Sequence, residues 1–160
     1  MRKECLVALV VLVLTLPVFS YAQGDRSADE QKIITRVVRD YVLAWQTSDT
    51  EKMKQVLHPQ AKLFLPSQNG DVVSQSASQL NAIFKSNADH RRGVPPMPSG
   101  DLEIRTVDVT DGIAAVKLEI SYPEQKVTQI LSLMKFGSGW KIVGRVLTVK
   151  GAQAQAKPKR

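Results

Sequence analysis

Cysteine is nearly missing from this sequence. The single one, Cys5, lies within the first apolar run, and the residues before it are not the small ones of a lipid-attachment site. That run is expected to be removed, which leaves no disulfide, no cysteine metal ligand and no thiol nucleophile. Histidine is almost as scarce, with only His58 and His90. No acidic cluster has calcium-loop spacing, so no metal and no cofactor are expected. Aromatic residues make up 6% of the chain and do not interleave with the basic ones, which argues against a stacking surface for nucleic acid. Ser76, Ser132 and Ser138 have no identifiable histidine partner, and there is no nucleophile elbow. No internal repeat occurs.

What is present begins at the N-terminus. Arg2 and Lys3 precede the apolar run from Cys5 to Leu14, after which come Pro17 and the small-residue stretch Ser20-Tyr21-Ala22. A basic head, a short apolar middle and a small-residue end read as a secretory signal peptide. The apolar stretch is about fifteen residues, short of the ~20 that a spanning helix requires. Cleavage is expected near Ala22. The mature protein would then be secreted or periplasmic, meeting a membrane only during export. The net charge is +7, with part of the excess in the tail Lys157-Pro158-Lys159-Arg160. The rest is scattered as on a solvated surface, and no nucleic-acid partner is expected.

Residues 23–28 read as a linker. From Asp29 to Trp45 the apolar positions Ile33, Ile34, Val37, Val38, Tyr41, Val42 and Trp45 have helical spacing, with Ser27 as N-cap and Glu30 as its capping-box partner. Asp49 is expected to cap a second helix, Thr50 to Leu57, stopped by His58-Pro59. Ala61 to Leu65 reads as a short strand, with Val72-Val73 pairing back after Asn69-Gly70. Ser76 and Gln79 form a capping box for a third helix with Leu80, Ile83 and Phe84 inward. Ser86 to Gly100, with Pro95, Pro96 and Pro98, is expected to be irregular.

The second half changes period. Leu102–Val109, Ile113–Tyr122, Val127–Phe136 and Trp140–Val149 alternate as strands, separated by Asp111-Gly112, Pro123-Glu124 and Gly137-Ser138-Gly139. The glycines in Phe136-Gly137-Ser138-Gly139-Trp140-Lys141-Ile142-Val143 feed β-formers rather than a helix. They therefore make a hairpin turn, not a phosphate loop. Leu131 and Leu133 oppose Ile130 and Met134, and Val143 and Leu147 oppose Ile142 and Val146. Strands apolar on both faces need two apolar neighbours. Residues 151–160 bury nothing and read as a disordered basic tail.

Three helices and a short strand pair ahead of a four-stranded meander predict an α+β domain over residues 29–150. The helices pack on a strongly curved, mainly antiparallel sheet. Residues Tyr41 to Asp49, Met53, Leu57 to Ala61, Leu131 to Phe136 and Gly139 to Val143 resemble the nuclear transport factor 2-like superfamily. This is a cone-shaped fold, and the likeness is greatest to its branch named "putative lumazine-binding", near the SnoaL-like proteins. The resemblance implies a cone that holds a small hydrophobic or aromatic ligand, with the family name suggesting a pterin or flavin. The pocket residues expected are Tyr41, Trp45, Phe64, Phe84, Leu118, Leu131 and Trp140.

Relatives such as ketosteroid isomerases use an aspartate base on the early strand, together with a helix-one tyrosine and a later-strand aspartate. Tyr41 occupies the tyrosine's place, Leu65 stands at the base position, and the later aspartate falls near Gln129 or Ser132. Without an ionisable base, proton abstraction from carbon has no engine. Binding without catalysis is therefore the expectation. The alternative is an enzyme with His58, Tyr41, Asp49 or Asp71 as acid or base. His90, Arg91 and Arg92 could form a basic lip over the mouth, and dimerisation through the sheet face is compatible with either reading.

Overall fold

The computed structural model describes residues 21–67, 69–90 and 100–151. The segment 1–20, the arginines 91 and 92 with the prolines after them, and the tail 152–160 lie outside the described residues, as does the side chain of His90. Three helices, α1 (Tyr21–Thr47), α2 (Thr50–Val56) and α3 (Ala77–His90), accompany six strands. These are β1 (Leu57–Pro66), β2 (Val72–Ser76), β3 (Asp101–Thr110), β4 (Ile113–Ser121), β5 (Gln125–Phe136) and β6 (Gly139–Gly151).

α1 forms where the sequence places an apolar stripe, and Ile34, Val38, Tyr41 and Val42 are buried. Ile33, expected inside, is 51% exposed because it lies at the edge of that stripe. The helix starts at Tyr21, so Ser27 is not its cap and residues 23–28 are helical rather than a linker. Once a helix is nucleated, each added residue gains a hydrogen bond, and no proline interrupts residues 23–28, so the helix runs through Gly24. The C-terminus closes with Ser48 in the left-handed region (φ 54°) and Asp49 N donating to the Ala44 carbonyl at 3.0 Å, a Schellman-type end. Asp49 then caps α2, its Oδ1 accepting from Lys52 N at 2.9 Å.

α2 ends at Val56, and β1 begins at Leu57, four residues ahead of the expected Ala61. The residue before proline favours extended angles, so His58 suits a strand as well as a helix end. Pro59 cannot donate to a ladder, and the pairing between β1 and β6 is irregular between Leu57 and Lys62, where it sits. The capping box of α3 is reciprocal. Ser76 N donates to Gln79 Oε1 at 2.8 Å, and Gln79 N donates to Ser76 Oγ at 3.2 Å. Leu80 and Phe84 are buried, whereas Ile83 is 38% exposed. α3 runs to His90, so residues 86–90 are helical rather than irregular.

The strands form one sheet in the order β2-β1-β6-β5-β4-β3. All pairs are antiparallel except β1 with β6, which is parallel and brings the last strand back beside the first. Asp111 (φ 44°) and Gly112 (φ 82°) make a two-residue hairpin turn. Gly139 (φ 101°) ends the β5–β6 turn, with Phe136 paired to Gly139. Leu63, Val116, Leu118, Leu131, Leu133 and Ile142 pack on the inner face with α1 and α3. Register shifts in β3 against β4 and in β5 against β6 add bends to this unclosed sheet, giving the cone-like α+β form.

The bulge in β6 also corrects the expected facing of that strand. Ser132 pairs with Gly144 and Leu133 with Ile142, leaving Val143 as the extra residue. Facing parity switches there, so Ile142 is buried while Val146 is 57% exposed. On β5 the two apolar faces are as expected, with Leu131 and Leu133 inward and Ile130 and Met134 outward.

Candidate functional site

Among the described residues, the buried polar side chains are Gln129 and Arg145, at 5% and 3% exposure, and neither is a carboxylate. Register explains why they meet. Arg145 on β6 pairs with Leu131 on β5, and Gln129 lies two residues before Leu131, on the same inner face. Arg145 and Gln129 are thus diagonal neighbours, within reach of long side chains. Leu118 on β4 pairs with Gln129 and Val116 with Leu131, completing an apolar floor. Arg145 faces inward only because of the bulge at Val143. Strict alternation from Trp140 and Ile142 would have turned it to the outer face.

α1 supplies the opposite wall. Arg145 Nη1 donates to the Tyr41 hydroxyl at 2.8 Å, and that hydroxyl donates to Gln129 Oε1 at 3.3 Å. Burial pushes the Tyr41 phenol above its ordinary pKa, and the neighbouring Arg145 charge opposes the shift only in part. Tyr41 is therefore a protonated donor at neutral pH. One helical turn further on, Trp45 presents its face to the guanidinium, 5.0 Å from carbon to ring centroid. Trp45 also meets Tyr41 edge-on at 6.4 Å and Phe84 of α3 edge-on at 4.9 Å. Several polar atoms here are buried with no hydrogen-bond partner: Arg145 Nε, the Trp45 indole N–H and the Asn81 amide oxygen. Asn81 lies one turn before Phe84 on α3.

The structure brings together Tyr41, Trp45 and Phe84 by ring contact, and Leu118 and Leu131 by strand register. Trp140 is buried on β6 nearer the hairpin turn, its indole N–H also unpaired. Phe64 is not an interior residue. On the alternating strand Leu63 is buried and Leu65 partly so, and Phe64 between them, 37% exposed, points outward. His58 is remote from Tyr41: it stacks on Phe136 at 4.8 Å, and Phe136 lies roughly 23 Å along β5 from Gln129 at the usual strand rise. Its Nδ1 accepts from Gln60 N at 3.2 Å. Asp49 is engaged as a helix cap. Asp71 is exposed and accepts from Asn69 Nδ2 at 2.8 Å in the β1–β2 turn. Ser132 faces outward, so of the two positions considered for the later-strand aspartate, Gln129 is the one at Tyr41.

Arg145 was missed by sequence reasoning. In Ile142-Val143-Gly144-Arg145-Val146 it reads as an ordinary outward charge, and one bulge residue reverses that. A separate groove of about 550 Å³ lies outside, between α1 and β3, bordered by Gln31, Thr35, Arg39 and Thr106. It is open to solvent, and the arginine on its far side, Arg105, is tied to Glu119 and Glu103.

Comparison with known proteins agrees with this architecture. The family model described as "Putative lumazine-binding" matches residues 29–148, and the chain belongs to that family; its fold is that of nuclear transport factor 2-like proteins. A nuclear transport factor 2-like protein of unknown function from Silicibacter pomeroyi superposes with a TM-score of 0.65 at 17% identity, covering 78% of this chain and 98% of that one. A second, from Shewanella baltica, gives 0.66 at 16% identity, with 78% and 97% covered. A cystatin-like fold protein from Burkholderia xenovorans gives 0.56 at 16% identity, with 78% and 94% covered. At these identities the likeness is one of fold. No curated protein matches the chain.

Proposed function

We propose that this protein is an exported, non-catalytic small-ligand-binding domain whose ligand sits inside the cone, against Tyr41, Trp45 and Phe84. Family membership supports small-ligand binding as the general role. The observation that carries the placement is the cluster of Arg145, Tyr41 and Gln129 within an apolar interior. A few convergent polar groups on apolar walls are the usual composition of a ligand site. The non-catalytic reading is supported by Leu65 at the base position, by the separation of His58 from Tyr41 and by the engagement of Asp49 in a helix cap and of Asp71 in the β1–β2 turn. Export rests on the sequence of residues 1–22.

The test is a thermal-shift screen of pterins, flavins and aromatic metabolites. A ligand at a hundredfold excess over its Kd stabilises by about 2.7 kcal/mol, a shift of several degrees. A screen with no rise in Tm from any compound would remove the ligand-binding reading. The mass of the protein recovered from an expressing bacterium, beginning at Gln23, tests export.

A second reading, dimerisation through the outer sheet face, has its own support. Ile130 is 51% and Val146 57% exposed, and they are directly paired across β5 and β6. Sedimentation at high concentration decides it, and a strictly monomeric profile rejects it.

A further inference from the structure

Arginine stays protonated at every physiological pH. A buried guanidinium therefore needs a counter-charge or a large set of hydrogen bonds, because taking it from water costs several kcal/mol. Arg145 has neither. It is 3% exposed, no carboxylate among the described residues is buried or bridged to it, one Nη1 hydrogen bond reaches a neutral hydroxyl, and Nε is unpaired. The Trp45 face offers a weak attraction, not charge neutralisation. The stretches 91–99 and 152–160 contain no aspartate or glutamate, and the remaining carboxylates, Glu4, Asp25 and Asp89, lie outside the described side chains.

We infer that the ligand brings the missing charge: the interior site binds a small aromatic carboxylate, with Arg145 clamping the carboxylate and Trp45 and Phe84 packing on the ring. This rests on the ligand-binding reading above and specifies its chemistry. Arginine carries five N–H donors in a planar fork that matches a carboxylate in paired hydrogen bonds. The Tyr41 hydroxyl, within 2.8 Å of Arg145 Nη1, is placed to reorient towards the same anion. The unpaired Trp45 N–H adds a further donor beside it. The acceptors are the Gln129 carbonyl, the Tyr41 hydroxyl that takes Arg145 Nη1 and the Asn81 amide oxygen, whereas Arg145 Nε and the Trp45 N–H are donors left without a partner. Those two donors suit an acceptor-only group.

Matched acid and amide probes separate charge from shape. Indole-3-acetate and indole-3-acetamide, and benzoate and benzamide, are titrated into the purified full chain by calorimetry at neutral pH. The acids are expected to bind at least tenfold more tightly than their amides. Arg145→Met should abolish that preference and, without ligand, melt no lower than the wild type, since an uncompensated buried cation has been replaced by an apolar chain. Arg145→Lys keeps the charge but loses the fork, so acid binding should weaken at least fivefold, and it carries the comparison if Arg145→Met does not fold. Acid and amide binding with equal affinity would overturn the charge inference and leave the ligand-binding reading standing. If no acid or amide binds, the carboxylate inference is overturned, while the ligand-binding reading stands or falls by the wider thermal-shift screen. An acid preference that survives Arg145→Met shows that another group reads the carboxylate and overturns the role of Arg145.

Discussion

The guanidinium of Arg145 lies 5.0 Å from the centre of the Trp45 ring, held between a helix and a strand that are 100 residues apart in the chain. That contact joins α1 to β6 across the inside of the sheet. It also defines where polar chemistry enters an otherwise apolar interior, and the neighbouring Tyr41 hydroxyl ties the same guanidinium to the helix a second time.

Tyr41→Phe removes the hydroxyl that accepts from Arg145 Nη1 and donates to Gln129 Oε1. Both groups stay buried without that partner, so the variant should lose about 1–3 kcal/mol of stability. Urea unfolding measures it. An unchanged midpoint would mean that water or another side chain already serves these atoms.

The start of α3 depends on the reciprocal bonds between Ser76 and Gln79. Ser76→Ala should cost about 1 kcal/mol, seen as a fall in Tm of about 2–4 °C for a chain of this size. A variant that melts with the wild type would show that packing of Leu80 and Phe84 alone fixes the helix start.

At Gly100 an added Cβ would collide with Ile120 Cγ2 and lie 2.8 Å from Tyr122 Cε1. Gly100→Ala should therefore destabilise by about 1–3 kcal/mol through overpacking, despite being a surface-loop change in the sequence. Equal stability in guanidinium would show that the loop before β3 can move away freely.

Glu119 on β4 accepts from Lys126 Nζ at 2.9 Å and from Arg105 Nη2 at 2.7 Å. Hydrogen bonds from Lys126 and Arg105 hold its carboxyl down at about 2, against an ordinary 4.5. A group with a depressed folded pKa contributes stability that is complete above its unfolded pKa and is lost as pH falls through the folded one. The contribution should thus fade between pH 4.5 and about 2. Glu119→Gln should flatten the fall in Tm over that window. Parallel wild-type and mutant profiles would reject the linkage.

Much of the fold is legible from local patterning. Asp49 and Ser76 are capping residues by type and by the helix-forming residues next in the chain, and each makes the bond its position implies. Asp111-Gly112 adopts the positive φ angles that its composition favours. The alternation of Ala114, Val116, Leu118 and Ile120 corresponds to one buried face. Helix limits were less legible, because α1 and α3 continue past the expected boundaries for as long as propagation remains favourable.

By itself, the sequence determined the order of helices and strands, the turns between them and an interior lined by Tyr41, Phe84, Leu118 and Leu131. Those features arise from neighbours a few residues away, through side-chain period and backbone preference. Only the tertiary structure decided that Phe64 faces outward, that His58 stands apart from Tyr41 and that Arg145 is buried. Each depends on strand register. On a pleated strand a single extra residue, here Val143, exchanges inside for outside.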